Sequence, residues 1–116
     1  MDVNEFLLET RKYYTLPDGT HFLEIRPRVF CADGFNLSIQ ASDGHYSSPR
    51  AIVDYYSKVE LGYPSSAEES IMEYAEDSDI PLKTVYGYVP VHIVDKILIA
   101  HGGISFYKWN DVEKNV

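Results

Sequence analysis

The chain is poor in the residues on which small disulfide-rich folds and metal centres depend. Its 116 residues include one cysteine, Cys31, which excludes an internal disulfide and any multi-thiolate metal site. No apolar run approaches the roughly 20 residues that span a bilayer, and the first residues lack the basic segment that begins a secretory signal peptide. We therefore expect a cytoplasmic protein that folds around its own hydrophobic core.

Basic residues are scarce as well. Ten Lys and Arg residues stand against eighteen Asp and Glu residues, so the net charge is −8 at pH 7. A charge of this sign repels nucleic acid, because nucleic-acid-binding proteins attract phosphates with basic surfaces. The composition therefore argues against direct nucleic-acid binding and favours a basic protein as partner.

Apolar and aromatic side chains are plentiful, at 45% and 14% of the chain, and this composition is typical of a folded domain. The length suits one domain over residues 1–116. Helix-like and strand-like segments follow one another without a linker or repeat. The sequence therefore predicts an α+β fold, with a mostly antiparallel sheet and about three helices packed on it.

The strongest local signal in the first half is Asp33-Gly34, between two alternating apolar segments. This dipeptide predicts a two-residue type I′ hairpin turn. Such a turn puts Phe30 opposite Leu37 and gives one buried face, formed by Phe30, Phe35, Leu37, Ile39 and Ala41. Pro27 predicts that the strand before the turn is an edge strand or carries a bulge at Pro27. Residues 4–14 predict a preceding helix, closed by a turn at 16–19.

The second half predicts two strands and two helices, followed by a short final strand. Alternation over 53–61 predicts a strand that buries Val53, Tyr55, Val59 and Leu61. Ser66 and Glu69 form a capping-box pattern that predicts a helix over 66–77, with Ile71, Met72 and Ala75 buried. Residues 84–89 predict a strand, 90–101 a helix ended by Gly102-Gly103, and 104–109 a last strand. Three tyrosines are predicted to face outward: Tyr56, Tyr86 and Tyr88.

Seven acidic residues and no Lys or Arg lie between Glu60 and Asp79. On the predicted helix, four of them share one face: Glu69, Glu73, Glu76 and Asp77. Like charges at this spacing destabilise a helix, so the row does not serve helix stability. It is either a solvated face that keeps the protein soluble or, together with Asp79, a surface that binds a basic partner.

The stretch QASDGHYSSPR, residues 40–50, contains the side-chain types of hydrolases and phosphate sites. However, Asp43, His45 and Ser47 are spaced two apart, so they would point the same way along an extended chain rather than form a triad. The chain has no Gly-x-Ser-x-Gly elbow and no phosphate-binding loop. A structural loop is the better interpretation. The alternative is a small-molecule site formed by His45, Tyr46 and Arg50.

The four histidines are His21, His45, His92 and His101, and none has the spacing of a metal ligand. His101 lies near a predicted helix end, where a favourable interaction with the helix dipole explains it. We predict no catalytic residue, no metal ligand and no cofactor.

Several short motifs occur together from residue 40 onward. They are Gln40-Ala41-Ser42, His45-Tyr46, Ser48-Pro49-Arg50, Val59-Glu60-Leu61-Gly62-Tyr63-Pro64, Tyr74-Ala75-Glu76-Asp77, Val85-Tyr86-Gly87-Tyr88-Val89-Pro90 and His101-Gly102-Gly103-Ile104. With these motifs, residues 38–104 resemble a family of small bacteriophage and mobile-element proteins that has no assigned activity. The resemblance implies a genetic context and transfers no catalytic residue. By analogy with other small acidic phage proteins, it implies an inhibitor of a basic, nucleic-acid-handling host defence protein.

Three hypotheses follow. The first is a non-enzymatic inhibitor or adaptor that binds a basic host protein through Glu69, Glu73, Glu76, Asp77 and Asp79. The second is a small enzyme or small-molecule binder with a pocket near His45, Tyr46 and Arg50, which Tyr88 could also line. The third is an assembly subunit that forms oligomers through its ten tyrosines or an edge strand.

Overall fold

The computed structural model describes residues 1–109. The helices are α1 (Val3–Glu9), a 3-10 helix (Glu69–Tyr74) and α2 (Val91–Ala100). The strands are β1 (Tyr13–Thr15), β2 (His21–Leu23), β3 (Arg28–Cys31), β4 (Asn36–Gln40), β5 (Lys58–Gly62), β6 (Val85–Pro90) and β7 (Ile104–Lys108).

Five strands form one antiparallel sheet in the order β6-β5-β4-β3-β7, and β1 pairs with β2 in a separate two-stranded sheet. This arrangement confirms the predicted α+β class and the mostly antiparallel sheet. The helices and the large sheet bury one shared core, to which α1 contributes Phe6, the 3-10 helix Ile71 and α2 Leu98.

The β3–β4 hairpin forms where Asp33-Gly34 predicts it, but its register is shifted by one residue. The backbone N–H of Cys31 donates to the carbonyl of Phe35 at 2.8 Å, and that of Gly34 donates to the carbonyl of Cys31 at 3.0 Å. The loop therefore holds three residues and ends on Gly34 at φ +96°, a conformation that favours glycine. The predicted two-residue turn, with both central residues at positive φ, is wrong.

The shifted register changes which side chains β3 buries. Val29 pairs with Leu37, and both are fully buried, whereas Phe30 pairs with Asn36 and stacks on Phe106 of β7 outside the core. The prediction that Phe30 joins the buried face is wrong, although Phe35, Leu37, Ile39 and Ala41 are buried as predicted.

Pro27 directly precedes β3, so its missing N–H interrupts no strand pairing. β3 lies between β4 and β7 and is therefore not an edge strand. The register of β3 against β7 does shift between Phe30 and Cys31, but the extra residue, Ser105, lies on β7, so neither the predicted edge strand nor the predicted bulge at Pro27 forms.

The predicted helix over residues 4–14 is too long. The Asp2 carboxylate accepts from the N–H of Glu5 at 2.8 Å and caps the start of α1, and the helix ends at Glu9. The following Tyr13-Tyr14-Thr15 forms β1, because aromatic and β-branched side chains favour strands over helices. β1 and β2 then form a hairpin around residues 16–20.

The predicted faces of three tyrosines are also wrong. Tyr56 and Tyr86, with predicted outward faces, are buried, at 1% and 0% exposure, whereas Tyr55, with a predicted inward face, is 64% exposed. The chain is irregular over 53–57 and becomes β5 only at Lys58, so alternation does not extend back to these residues. Val59 and Leu61 are buried, and Tyr88 is exposed, as predicted.

The C-terminal elements follow the sequence prediction closely. Pro90 precedes α2, and Gly102 and Gly103, at φ +90° and +83°, end it before β7. α1 packs beside α2, and the N–H of Val3 donates to the Asp95 carboxylate at 2.9 Å. Over residues 1–109, no helix has the length and apolar character needed to cross a membrane.

Candidate functional site

The acidic segment, residues 68–79, does not fold as the predicted α-helix over 66–77. A 3-10 helix spans Glu69–Tyr74, and the flanking Glu68 and Ala75 are extended. No side chain caps its start, so the predicted Ser66–Glu69 capping box does not form. Residues in a 3-10 helix are about 120° apart, so Glu69 and Glu73 do not share one face. Glu76 and Asp77 lie beyond the helix, and the predicted row of four carboxylates on one helix face is wrong.

Tertiary contacts at both ends explain this shorter helix. Before it, the Glu68 side chain bonds to His101. After it, Ala75 forms a β-bridge with Tyr86, and the N–H of Glu76 donates to the carbonyl of Val85 at 2.9 Å. The repulsion among its carboxylates also disfavours a longer helix. Ile71, fully buried, fixes the segment to the core.

Although the helix differs, five acidic side chains of this segment are exposed: Glu69, Glu73, Glu76, Asp77 and Asp79. Across residues 1–109, the ion pairs are Arg11–Asp54, Lys12–Glu24 and the two His101 contacts, so none of the five carboxylates is paired there. Asp77 has a local role, since its carboxylate accepts from the N–H of Asp79 at 3.0 Å. The segment therefore presents unpaired negative charge on backbone that is fixed to β6.

The stretch 40–50 forms a turn at Asp43 and Gly44 and then runs beside the large sheet. The N–H of Ser48 donates to the carbonyl of Lys58 at 3.0 Å, and the N–H of Tyr88 donates to the carbonyl of Tyr46 at 3.0 Å. These bonds fix the loop to β5 and β6.

Within that loop, the Ser42 hydroxyl lies 2.7 Å from Nδ1 of His45. The same hydroxyl accepts from the N–H of Gly44 at 3.0 Å, and Ser42 is only 4% exposed. A serine nucleophile must reach its substrate, and this hydroxyl is buried and already occupied by the turn. Burial is the largest effect on His45 and lowers its pKa, whereas nearby Glu60 raises it. The pair supports a structural role better than catalysis.

Two of the three residues proposed as the alternative loop site are in contact. The Arg50 guanidinium lies 5.2 Å from the centroid of the Tyr46 ring, within cation–π range, and the Tyr46 and Tyr88 rings are 5.7 Å apart. His45 bonds instead to Ser42. Two cavities in the described part of the chain lie elsewhere. One is at β1–β2 beside Tyr14 and Ile25, and the other is between α1 and α2 beside Glu5 and Ile99.

His101 takes part in an arrangement that the sequence did not predict. Its Nδ1 lies 2.6 Å from the Asp33 carboxylate, and its Nε2 contacts the Glu68 carboxylate. These partners are 68 and 33 positions away along the chain, so no local pattern could bring them together. The Glu68 hydrogen bond is the largest effect on His101 and raises its pKa, and partial burial opposes it.

His101, Asp33 and Glu68 do not form a metal site, because the two carboxylates contact opposite nitrogens of the ring. No group of three or more His, Cys, Asp or Glu residues within residues 1–109 is arranged to hold a metal ion. Cys31 is buried on β3, and burial is the main effect that raises the pKa of its thiol. A thiol with a raised pKa is a poor nucleophile at neutral pH.

Comparison of the chain with protein-family models, curated proteins and solved structures finds no match. The resemblance over residues 38–104 therefore stays a prediction.

Proposed function

We propose that this protein is a non-enzymatic binding protein that docks on a basic, nucleic-acid-handling protein through Glu69, Glu73, Glu76, Asp77 and Asp79. In this proposal it is encoded by a phage or mobile element, acts in the host cytoplasm and inhibits a defence protein. The observation that carries the proposal is the unpaired, exposed charge of these five residues on an anchored segment.

The acidic segment is fixed to the fold, and this favours binding because a flexible segment would lose conformational entropy when a partner orders it. Ile71 in the core and the Ala75–Tyr86 bridge hold the segment before any partner arrives, so little ordering entropy opposes association. Complementary charge then accelerates the encounter and gives it a strong salt dependence. A groove that normally holds phosphates carries the complementary positive charge.

The net charge of −8 supports the same partner class. Over residues 1–109, the pair that most resembles a catalytic arrangement is the buried Ser42 with His45. Its Ser42 hydroxyl also accepts the Gly44 N–H, so it helps to form a turn. Binding without chemistry is the simpler function for such a molecule.

The test is affinity capture from a host lysate with three versions of the protein, followed by identification of the captured protein. The site variant is Glu69→Lys, Glu73→Lys and Glu76→Lys together. The matched control carries the same charge change at three exposed acids elsewhere: Glu5→Lys, Glu9→Lys and Asp43→Lys. We expect wild type and control to retain a basic, nucleic-acid-handling protein and the site variant to lose it.

Other outcomes would contradict the proposal in different ways. If all three versions retain the same partner, the acidic segment serves solubility and another surface binds. If neither variant nor wild type retains a partner, the small-molecule site near His45, Tyr46 and Arg50 becomes the leading hypothesis. If the retained partner is a second copy of the chain, the assembly hypothesis is correct.

A further inference from the structure

The His101 bridge, defined as the His101 imidazole with the Asp33 and Glu68 carboxylates, joins three separate parts of the fold. His101 caps the end of α2, Asp33 lies in the β3–β4 turn, and Glu68 immediately precedes the 3-10 helix of the acidic segment. The imidazole also stacks on Phe35, with ring centroids 4.0 Å apart and planes at 11°. The ring therefore has a fixed orientation with a carboxylate at each nitrogen.

This geometry can be satisfied only when the imidazole is protonated. An imidazolium has two N–H donors, one for each carboxylate, whereas a neutral imidazole has one donor and one lone pair. After loss of the proton, one carboxylate faces a lone pair, and two acceptors in contact repel each other. The bridge must then open on one side, because stacking on Phe35 prevents the ring from turning away freely.

We propose that the His101 bridge is a pH-dependent tie that fastens the start of the acidic segment to the β3–β4 turn and α2 when His101 is protonated and releases it when the proton is lost. The tie itself is independent of any partner. Any effect of the tie on partner binding rests on the proposed function.

Glu68 is the side that opens. The Asp33 carboxylate also accepts from the N–H of Phe35 at 2.9 Å, and the N–H of Asp33 donates to the carbonyl of His101 at 3.2 Å, so this side stays in place. Within residues 1–109, the hydrogen bond of the Glu68 carboxylate is the one to His101. Its backbone carbonyl accepts from the N–H of Ile71 at 3.2 Å, so movement of Glu68 is transmitted to the first turn of the 3-10 helix.

The charges that face the ring agree with this proposal. Asp33 in the β3–β4 turn and Glu68 in the acidic segment face the ring. In the described part of the chain, these are the charged groups acting on His101. Both raise its pKa above the ordinary 6.5, with Glu68 first, and partial burial opposes them. The nearby Cys31 thiol is buried and neutral. The proton is therefore lost at a higher pH than from an ordinary imidazole.

The experiment combines an NMR titration of His101 with amide hydrogen exchange of the isolated protein, with no partner present. We expect the protection factor of the Ile71 amide to fall about tenfold as His101 loses its proton, the effect of one charge-assisted hydrogen bond. In His101→Gln, protection should be low and independent of pH. His92→Gln removes an exposed histidine from the same helix and should behave as wild type.

A second variant keeps the proposal testable if His101→Gln does not fold. In Glu68→Gln, the amide can donate to a neutral imidazole, so the change in protection should disappear and the His101 pKa should fall. If His101 titrates in the wild type while protection of Ile71 stays constant, the tie does not exist. That result would leave the proposed partner binding unaffected, and failure to capture a partner would leave the tie unaffected.

Discussion

The buried tyrosines owe their positions to their hydroxyl groups as much as to their rings. The Tyr56 hydroxyl donates to the carbonyl of Ala51 at 2.6 Å and accepts from the N–H of Val53 at 3.2 Å. The Tyr86 hydroxyl donates to the carbonyl of Pro81 at 2.6 Å. Each ring fills the core while its hydroxyl satisfies the backbone of an irregular segment. Such hydroxyls stabilise loops that have no strand partner.

Tyr56→Phe should lower the free energy of unfolding by about 1–3 kcal/mol, because two backbone groups lose their hydrogen-bond partner while the ring stays in place. Its neighbour provides the control: Tyr55→Phe, at a residue 64% exposed, should change stability by less than about 0.5 kcal/mol. Urea denaturation measures both variants. Equal effects would mean that the Tyr56 hydroxyl does not support residues 51–53.

The His101 bridge makes stability depend on pH. A raised His101 pKa contributes stability that is complete below the ordinary value of 6.5 and is lost as pH rises through the folded-state pKa. Asp33 acts oppositely: the Phe35 N–H, then His101, lowers its pKa, so its contribution is lost as pH falls through that lowered value. Maximum stability should therefore lie between these two transitions.

Urea denaturation of wild type and His101→Gln from about pH 5 to about pH 9 measures the His101 contribution. We expect the stability difference between the two to stay constant up to about pH 6.5, the ordinary histidine value, and to shrink as pH rises above it, and His92→Gln to track wild type throughout. A difference that stays constant over this range would show that His101 is held in one protonation state.

Among the elements, those with strong local signals were predictable and those governed by distant contacts were not. Pro90 and the Gly102-Gly103 pair mark the ends of α2 by backbone chemistry alone, and α2 forms where they predict. The acidic segment has a capping-box pattern, yet its ends are fixed by His101 and by Tyr86, far away along the chain. Local pattern cannot report such contacts.

The register of the β3–β4 hairpin was also only partly predictable from local sequence. The Asp33-Gly34 signal located the turn correctly, but two-residue and three-residue loops both use this dipeptide. One extra loop residue exchanged Phe30 for Val29 in the core, since side chains alternate along a strand. Of the candidate site, the exposure of the five acids followed from composition, whereas the His101 bridge required the fold.

The junction between α2 and β7 allows a test with matched glycines. A Cβ on Gly102 would lie 2.8 Å from the Cβ of Ala32, whereas one on Gly103 would meet nothing within 4 Å. Both glycines have positive φ, so either alanine costs roughly 1–2 kcal/mol in backbone strain. Gly102→Ala should cost about 1–3 kcal/mol more, from the clash. Equal losses in thermal or urea denaturation would contradict close packing of this junction on the turn.

For the whole molecule, the central feature is an uneven distribution of charge and aromatic surface. The acidic segment carries unpaired carboxylates, while the β1–β2 hairpin exposes Tyr13, Tyr14 and Phe22. The Tyr14 and Phe22 rings stack on each other, with centroids 5.6 Å apart, and no charge pattern on the hairpin identifies a partner. We therefore propose the acidic segment, rather than the hairpin, as the binding surface.

The most direct test of that claim is the Kd of the captured partner, measured by calorimetry at low and high salt for wild type, the acidic-segment triple lysine variant and the matched control variant. We predict that the acidic-segment variant weakens binding at least about tenfold at low salt and the control less than about threefold. Raising the salt should weaken wild type and narrow the gap between the variants. Equal loss in both variants would mean that only net charge matters, and unchanged binding in the acidic-segment variant would contradict the proposed surface.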